Sequence, residues 1–144
     1  MPPARALILC YPKSVNDKNA PVRVLVIDDE KGLRDMLSYT LRRIGFEVAV
    51  AEDGEKGLEA ARAADFDVVI CDVMMPGLDG IAVLEILKRE RSALEVVMVT
   101  GFPTDGTAAR AKELGAFDYL AKPYEVMSLR ATLEKAASRK RARG

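Results

Sequence analysis

A chain of 144 residues is the size of one domain, and 49% hydrophobic with 31% charged residues is the make-up of a globular protein that buries a single core. Its 22 Lys and Arg match 22 Asp and Glu, which argues against a dedicated nucleic-acid or membrane-surface binder, and no apolar run approaches the ~20 residues of a membrane span. Histidine is absent, which excludes imidazole metal ligands and imidazole bases, and two cysteines cannot build a disulfide framework or a zinc site. The expected location is the cytoplasm.

Residues 1–21 read as a mobile leader. Pro2, Pro3 and Pro12 and the polar run 14–19 carry no sustained periodicity, although the apolar piece 7–11 could add an edge strand. A domain is expected over residues 22–138. Arg23-Val24-Leu25-Val26-Ile27 is a strand covered on both faces. Leu33, Met36, Leu37, Thr40, Leu41 and Ile44 then recur at helical spacing, stopped by Gly45. Residues 47–51 read as a second strand, and Asp53-Gly54 opens a helix through Ala64 with Leu58 and Ala61 inward. Residues 67–72 form a third strand. Asp79 can cap a helix with Ile81, Leu84 and Leu87 inward. A strand over 95–100, a weak helix over 104–114, a strand over 117–121 and a helix from Val126 to about Ala137 complete the pattern. Arg139, Lys140, Arg141 and Arg143 read as a solvated basic tail over 139–144. Strict alternation of apolar strands and helices predicts an α/β fold, a doubly wound five-stranded parallel sheet with five helices, and fits the flavodoxin-like order 2-1-3-4-5.

The strand ends carry the chemistry. Strand one ends in Asp28-Asp29, strand three in Asp72 and strand four in Thr100, and Lys122 directly follows strand five. In such a sheet the carboxyl ends share one edge, and ligands bind at the switch point between strands one and three. Three close carboxylates repel unless a cation intervenes, and a divalent ion with few protein oxygens is typical of Mg²⁺. Three carboxylates, one divalent ion and Lys122 sum to zero charge, which suits a phosphoryl group. Cys71 is expected in the core, its side chain pointing away from that of Asp72.

The stretches Val24-Leu25-Val26-Ile27-Asp28-Asp29-Glu30, Asp72-Val73-Met74-Met75-Pro76-Gly77-Leu78-Asp79-Gly80, Val99-Thr100-Gly101 and Gly115-Ala116-Phe117-Asp118-Tyr119-Leu120-Ala121-Lys122-Pro123 closely resemble the receiver family of two-component signalling. The resemblance covers residues 22–137. It implies a phosphorylation-dependent switch rather than an enzyme, with Asp72 as phosphoacceptor. It implies Mg²⁺ held by Asp29, Asp72 and the backbone carbonyl of Met74, with Asp28 assisting through water. Lys122 and Thr100 would contact the phosphoryl oxygens, and Thr100 and Tyr119 would form the switch pair acting on helix four, strand five and helix five. The Lys122-Pro123 bond would be cis. The implied phosphodonor is a sensor histidine kinase or phosphotransfer protein, and phosphorylation-dependent homodimerisation is a further expectation. The output partner stays open, because a stand-alone receiver and a piece of a longer regulator both fit.

Three rival readings differ at named residues. An aspartyl phosphatase of the haloacid-dehalogenase type needs a second carboxylate two positions after the nucleophile, where Met74 stands. A flavodoxin would carry a Ser/Thr-rich phosphate loop after strand one, where Asp28-Asp29-Glu30 stands. A receiver-like module that is never phosphorylated usually lacks part of the residue set found here. In the family, the side chains two positions after the phosphoacceptor and after the switch threonine border the attacking water. Met74 and Phe102 occupy those positions and can neither hold nor orient it, so autodephosphorylation is expected to be slow.

Overall fold

Five strands alternate with five helices in the computed structural model, which describes residues 20–143. They are β1 (Arg23–Ile27), α1 (Lys31–Arg43), β2 (Glu47–Ala51), α2 (Gly54–Ala63), β3 (Val68–Asp72), α3 (Gly80–Glu90), β4 (Glu95–Thr100), α4 (Asp105–Glu113), β5 (Asp118–Ala121) and α5 (Val126–Arg143). All neighbours pair in parallel, in the order β2-β1-β3-β4-β5, as the sequence pattern predicts. Residues 1–19 of the leader, with its candidate edge strand over 7–11, lie outside the described residues.

Strand alternation divides the core in two. Leu25, Ile27, Val69, Cys71, Val96 and Met98 face one side, where α2, α3 and α4 cover them with Leu58, Ala61, Val83, Leu84, Leu87 and Ala111. Val24, Val26, Val68, Ile70, Val97 and Val99 face the other, under Leu37 and Leu41 of α1 and Leu129, Leu133 and Ala136 of α5. Each fully buried aliphatic side chain contributes roughly 1.5–3 kcal/mol, so β1, β3 and β4, buried on both faces, anchor the sheet. On α3 Leu84 and Leu87 are buried as expected and Val83 joins them; Ile81, also expected inward, is only half-buried at the edge of the same cluster.

Local chemistry sets the ends of the helices. Asp53, Asp79 and Thr104 cap α2, α3 and α4 by accepting from the amides of Lys56, Ala82 and Thr107 at 2.8, 2.9 and 3.1 Å. Gly45 leaves α1 at a φ of 106°, a conformation that costs a side-chain-bearing residue free energy. Gly80 answers a different need. Its amide donates to the Val73 carbonyl at 2.9 Å, and a Cβ there would collide with the Asp72 backbone carbonyl. α3 therefore starts pressed against the end of β3.

The basic run expected as a solvated tail is the last turn of α5 instead. It docks on acids at the amino-terminal edge of the sheet. Arg141 meets both carboxylate oxygens of Asp67 at 3.1 and 2.9 Å and also donates to the Pro21 carbonyl. Lys140 lies 3.4 Å from Asp65. Glu95, 1% exposed, faces Arg139 at 3.1 Å, Arg143 at 3.2 Å and Lys88 at 3.7 Å. Periodicity missed this because the bases are matched by acids distant in sequence, and buried acids at a strand start demand partners.

Candidate functional site

The same alternation that sorts the core sorts the polar residues at the carboxyl edge. Asp28 continues the row of Val24 and Val26, Asp72 that of Val68 and Ile70, and Lys122 that of Leu120. All three point to the α1/α5 side, over the point where β1 and β3 lead to helices on opposite faces. Lys122 Nζ lies 3.0 Å from Asp28 Oδ2 and 3.4 Å from Asp72 Oδ2. Asp29, the exposed member, completes a group in which one oxygen each of Asp28, Asp29 and Asp72 lies within 4.8 Å of the others. Backbone amides fix the two buried acids: Glu30 donates to Asp28 Oδ1 at 2.9 Å and Met74 to Asp72 Oδ1 at 3.2 Å. The Lys122-Pro123 peptide is cis, as the resemblance implies.

The charges do not balance. Three carboxylates share one ammonium, and Asp28 has the nearer claim on it. Burial pushes the Asp72 carboxyl above the ordinary carboxylate range; Lys122 pulls it down, Asp28 pushes it up again, and the net displacement is upward. Burial pulls the Lys122 ammonium down, but the hydrogen bond and charge of Asp28, reinforced by Asp72, outweigh it and hold the amine protonated. Beneath the site the fully buried Cys71 thiol is pushed up, chiefly by burial and then by Asp72, so it supplies no nucleophile. The Tyr124 phenol is likewise raised by burial.

Two expected members stand apart. Thr100 and Tyr119 lie on the other face, in the row of Val96 and Met98, with Tyr119 paired to Met98 and Thr100 to Ala121. The Thr100 hydroxyl accepts from the Phe102 amide at 3.0 Å rather than reaching the acids. The Tyr119 phenol lies 2.6 Å from Thr107 Oγ1 in the first turn of α4. Sequence reading did not single out Thr107; its only trace is the spacing Thr104-x-x-Thr107 at a helix start. It also assigned Asp28 to the ion alone, whereas here Asp28 is the closer partner of Lys122. Met74 and Phe102, on the loops that follow β3 and β4, are 57% and 74% exposed, so both side chains stand in water.

An oxygen-only donor set with excess negative charge, one member open to solvent, fits a hard divalent cation that keeps waters. The protonated lysine beside it fits an anion that the cation also engages.

Known proteins agree with this arrangement. Residues 24–134 match the family model of the response regulator receiver domain. The chain is 42% identical over 115 residues to the transcriptional regulatory protein ZraR of Escherichia coli K12, covering 80% of this chain and 26% of that protein. It is 39% identical over 113 residues to the transcriptional regulatory protein FixJ of Bradyrhizobium diazoefficiens, covering 78% of this chain and 55% of that one. The chain thus spans about a quarter to a half of the length of these two relatives. A response regulator receiver domain protein from Clostridium thermocellum superposes with a TM-score of 0.80 at 32% identity, covering 85% of this chain and 99% of that one. The chemotaxis protein CheY4 of Vibrio cholerae gives a TM-score of 0.77 at 33% identity, covering 81% and 99%. Family model, relatives and fold converge on one assignment: this chain belongs to the response regulator receiver domain family.

Proposed function

We propose that the chain is a phosphorylation-dependent signalling switch of a two-component system that accepts a phosphoryl group on Asp72. The observation that carries this reading is the pairing of an under-neutralised acid cluster with one protonated lysine, Lys122, shared by Asp28 and Asp72. A carboxylate oxygen of Asp72 attacks the donor phosphorus. The P–N bond of a partner's phosphohistidine breaks, its electron pair returns to the imidazole, and an acyl phosphate forms. This chain has no histidine and cannot be its own donor, so the partner is a sensor histidine kinase or a phosphotransfer protein.

Asp29, Asp72 and the Met74 backbone carbonyl would hold Mg²⁺, with Asp28 acting through water. When bound, the ion supplies positive charge to the phosphoryl oxygens. Lys122 supplies the rest, and the Thr100 hydroxyl leaves the Phe102 amide to reach the new oxygens. The departure of Thr100 opens room for Tyr119, and the surface of α4, β5 and α5 is reshaped for an output partner or for a second copy of the chain. Autodephosphorylation is slow, because Met74 and Phe102 offer no group that orients a water.

Acetyl phosphate with Mg²⁺ tests this. Intact-mass measurement is expected to show one base-labile phosphoryl group on the wild type and none on Asp72→Asn. Equal labelling of the two overturns the reading.

A further inference from the structure

The start of α4 carries a hydroxyl network that phosphoryl chemistry at Asp72 does not account for. Thr107 Oγ1 lies 2.6 Å from the Tyr119 phenol oxygen, 2.9 Å from Thr104 Oγ1 and 3.2 Å from the Thr104 carbonyl oxygen. The Thr104 amide reaches the phenol oxygen at 3.4 Å, and the Thr107 amide donates to Thr104 Oγ1 at 3.1 Å.

Counting protons orders these contacts. A carbonyl only accepts, so the Thr107 hydroxyl gives its proton to the Thr104 carbonyl. Its two lone pairs are then left for the Thr104 hydroxyl and the Tyr119 phenol, both of which donate to it. The phenol in turn accepts from the Thr104 amide. Tyr119 is therefore a member of the cap of α4, and Thr107 is its acceptor. Little else holds that turn. Ala111 is the buried residue of α4, and Gly106 in the first turn lowers helix propensity.

We propose that Thr107 is the positioning residue that holds Tyr119 against α4 in the unphosphorylated chain, so that releasing Tyr119 and loosening the first turn of α4 are one event. The proposal rests on the reading of Asp72 as phosphoacceptor with Thr100 and Tyr119 as its relay. A bond made in only one of two states biases the pair toward that state. Removing it raises affinity for any ligand of the other state. A hydrogen bond of ordinary net strength corresponds to about a two- to tenfold shift.

The full chain is titrated with beryllofluoride and Mg²⁺ as a phosphoryl mimic, as wild type, Thr107→Val and Thr107→Ser, each also with Tyr119→Phe. Amide exchange of the α4 first turn is followed in the same proteins without ligand. Thr107→Val is expected to bind about two- to tenfold more tightly and to exchange faster in that turn, and Thr107→Ser to behave as wild type. In the Tyr119→Phe background Thr107→Val is expected to leave binding unchanged and to speed exchange by less than in the wild-type background, since only its contacts with Thr104 remain to be lost. Unchanged or weaker binding by Thr107→Val overturns the proposal, as does a gain in binding, or an undiminished effect on exchange, that persists without the phenol. A wild type that takes up no beryllofluoride overturns the phosphoacceptor reading instead, and the exchange cycle still decides whether Thr107 and Tyr119 are coupled.

Discussion

The sheet carries an acidic cluster at each end, each built around two buried acids, and the two are neutralised in opposite ways. At the amino-terminal edge, Asp65, Asp67 and Glu95 meet Lys88, Arg139, Lys140, Arg141 and Arg143. At the carboxyl edge, Asp28, Asp29 and Asp72 share Lys122. The first cluster is fully paired within the protein, and its work is to fasten the last turn of α5 to β3 and β4. The second is left short of positive charge, a deficit of the kind that the divalent cation proposed above would fill. The contrast teaches that burial of acids is not by itself a mark of function; what distinguishes a site is the charge that the fold withholds.

The sharpest way to break the comparison is to remove a cation from the paired end. Arg141→Ala is expected to destabilise the fold by about 2 kcal/mol, because it removes two charge-assisted hydrogen bonds from the buried carboxylate of Asp67 and leaves it the Arg23 amide and the more distant Lys140. Glu95→Gln is expected to cost a similar amount, since three cations are left facing a neutral amide. Both are read by denaturant unfolding, and both proteins, once folded, are expected to label at Asp72 as the wild type does. Arg143→Ala is milder, at about 0.5 kcal/mol, because its side chain is 43% exposed and Lys88 and Arg139 still serve Glu95.

At the other end the sign reverses. Without Mg²⁺, Asp72→Asn is expected to stabilise the protein by on the order of 1 kcal/mol, by removing one of three repelling charges. The pH dependence gives an independent check. The folded Asp72 carboxyl is raised, so between its unfolded and folded values the native state binds the extra proton. Metal-free stability therefore declines as pH rises through that window, and Asp72→Asn flattens the decline. Added Mg²⁺ is expected to raise the wild-type unfolding midpoint and to leave Asp72→Asn less affected.

A third effect concerns the mouth of the carboxyl-edge site. Met74→Asn with Phe102→Glu is expected to speed loss of the acyl phosphate several-fold, measured by intact mass after donor removal, because each new side chain can orient a water. Decay no faster than wild type would show that these exposed positions do not govern the attacking water.

The carboxyl edge was far more legible in sequence than the amino-terminal edge, for a physical reason. Asp28, Asp29, Asp72 and Lys122 each follow an apolar strand, and parallel topology alone brings strand ends together. The arginine partners of Asp67 and Glu95 sit on α5, and no rule of spacing ties the start of a strand to a helix's last turn. Arg139–Arg143 therefore read as solvent-facing. The same holds for Thr107 and Tyr119: each is an ordinary residue on its own element, and only the packing of α4 on β5 makes them a pair. Thr100 shows a further limit. Its position at a strand end is evident, but the parity of β4 puts its hydroxyl on the other face from Asp72, and parity relative to a neighbour needs the register.

The close approach at Gly80 has a mechanical consequence. Because any side chain there would collide with the Asp72 carbonyl, the start of α3 and the end of β3 behave as one stiff joint. The start of α4 is tied to β5 through the Tyr119 phenol, by the Thr107 hydroxyl and the Thr104 amide, a compliant joint. Of the two, the joint at Gly80 is held by a close backbone approach, and the joint at α4 is the one free to give.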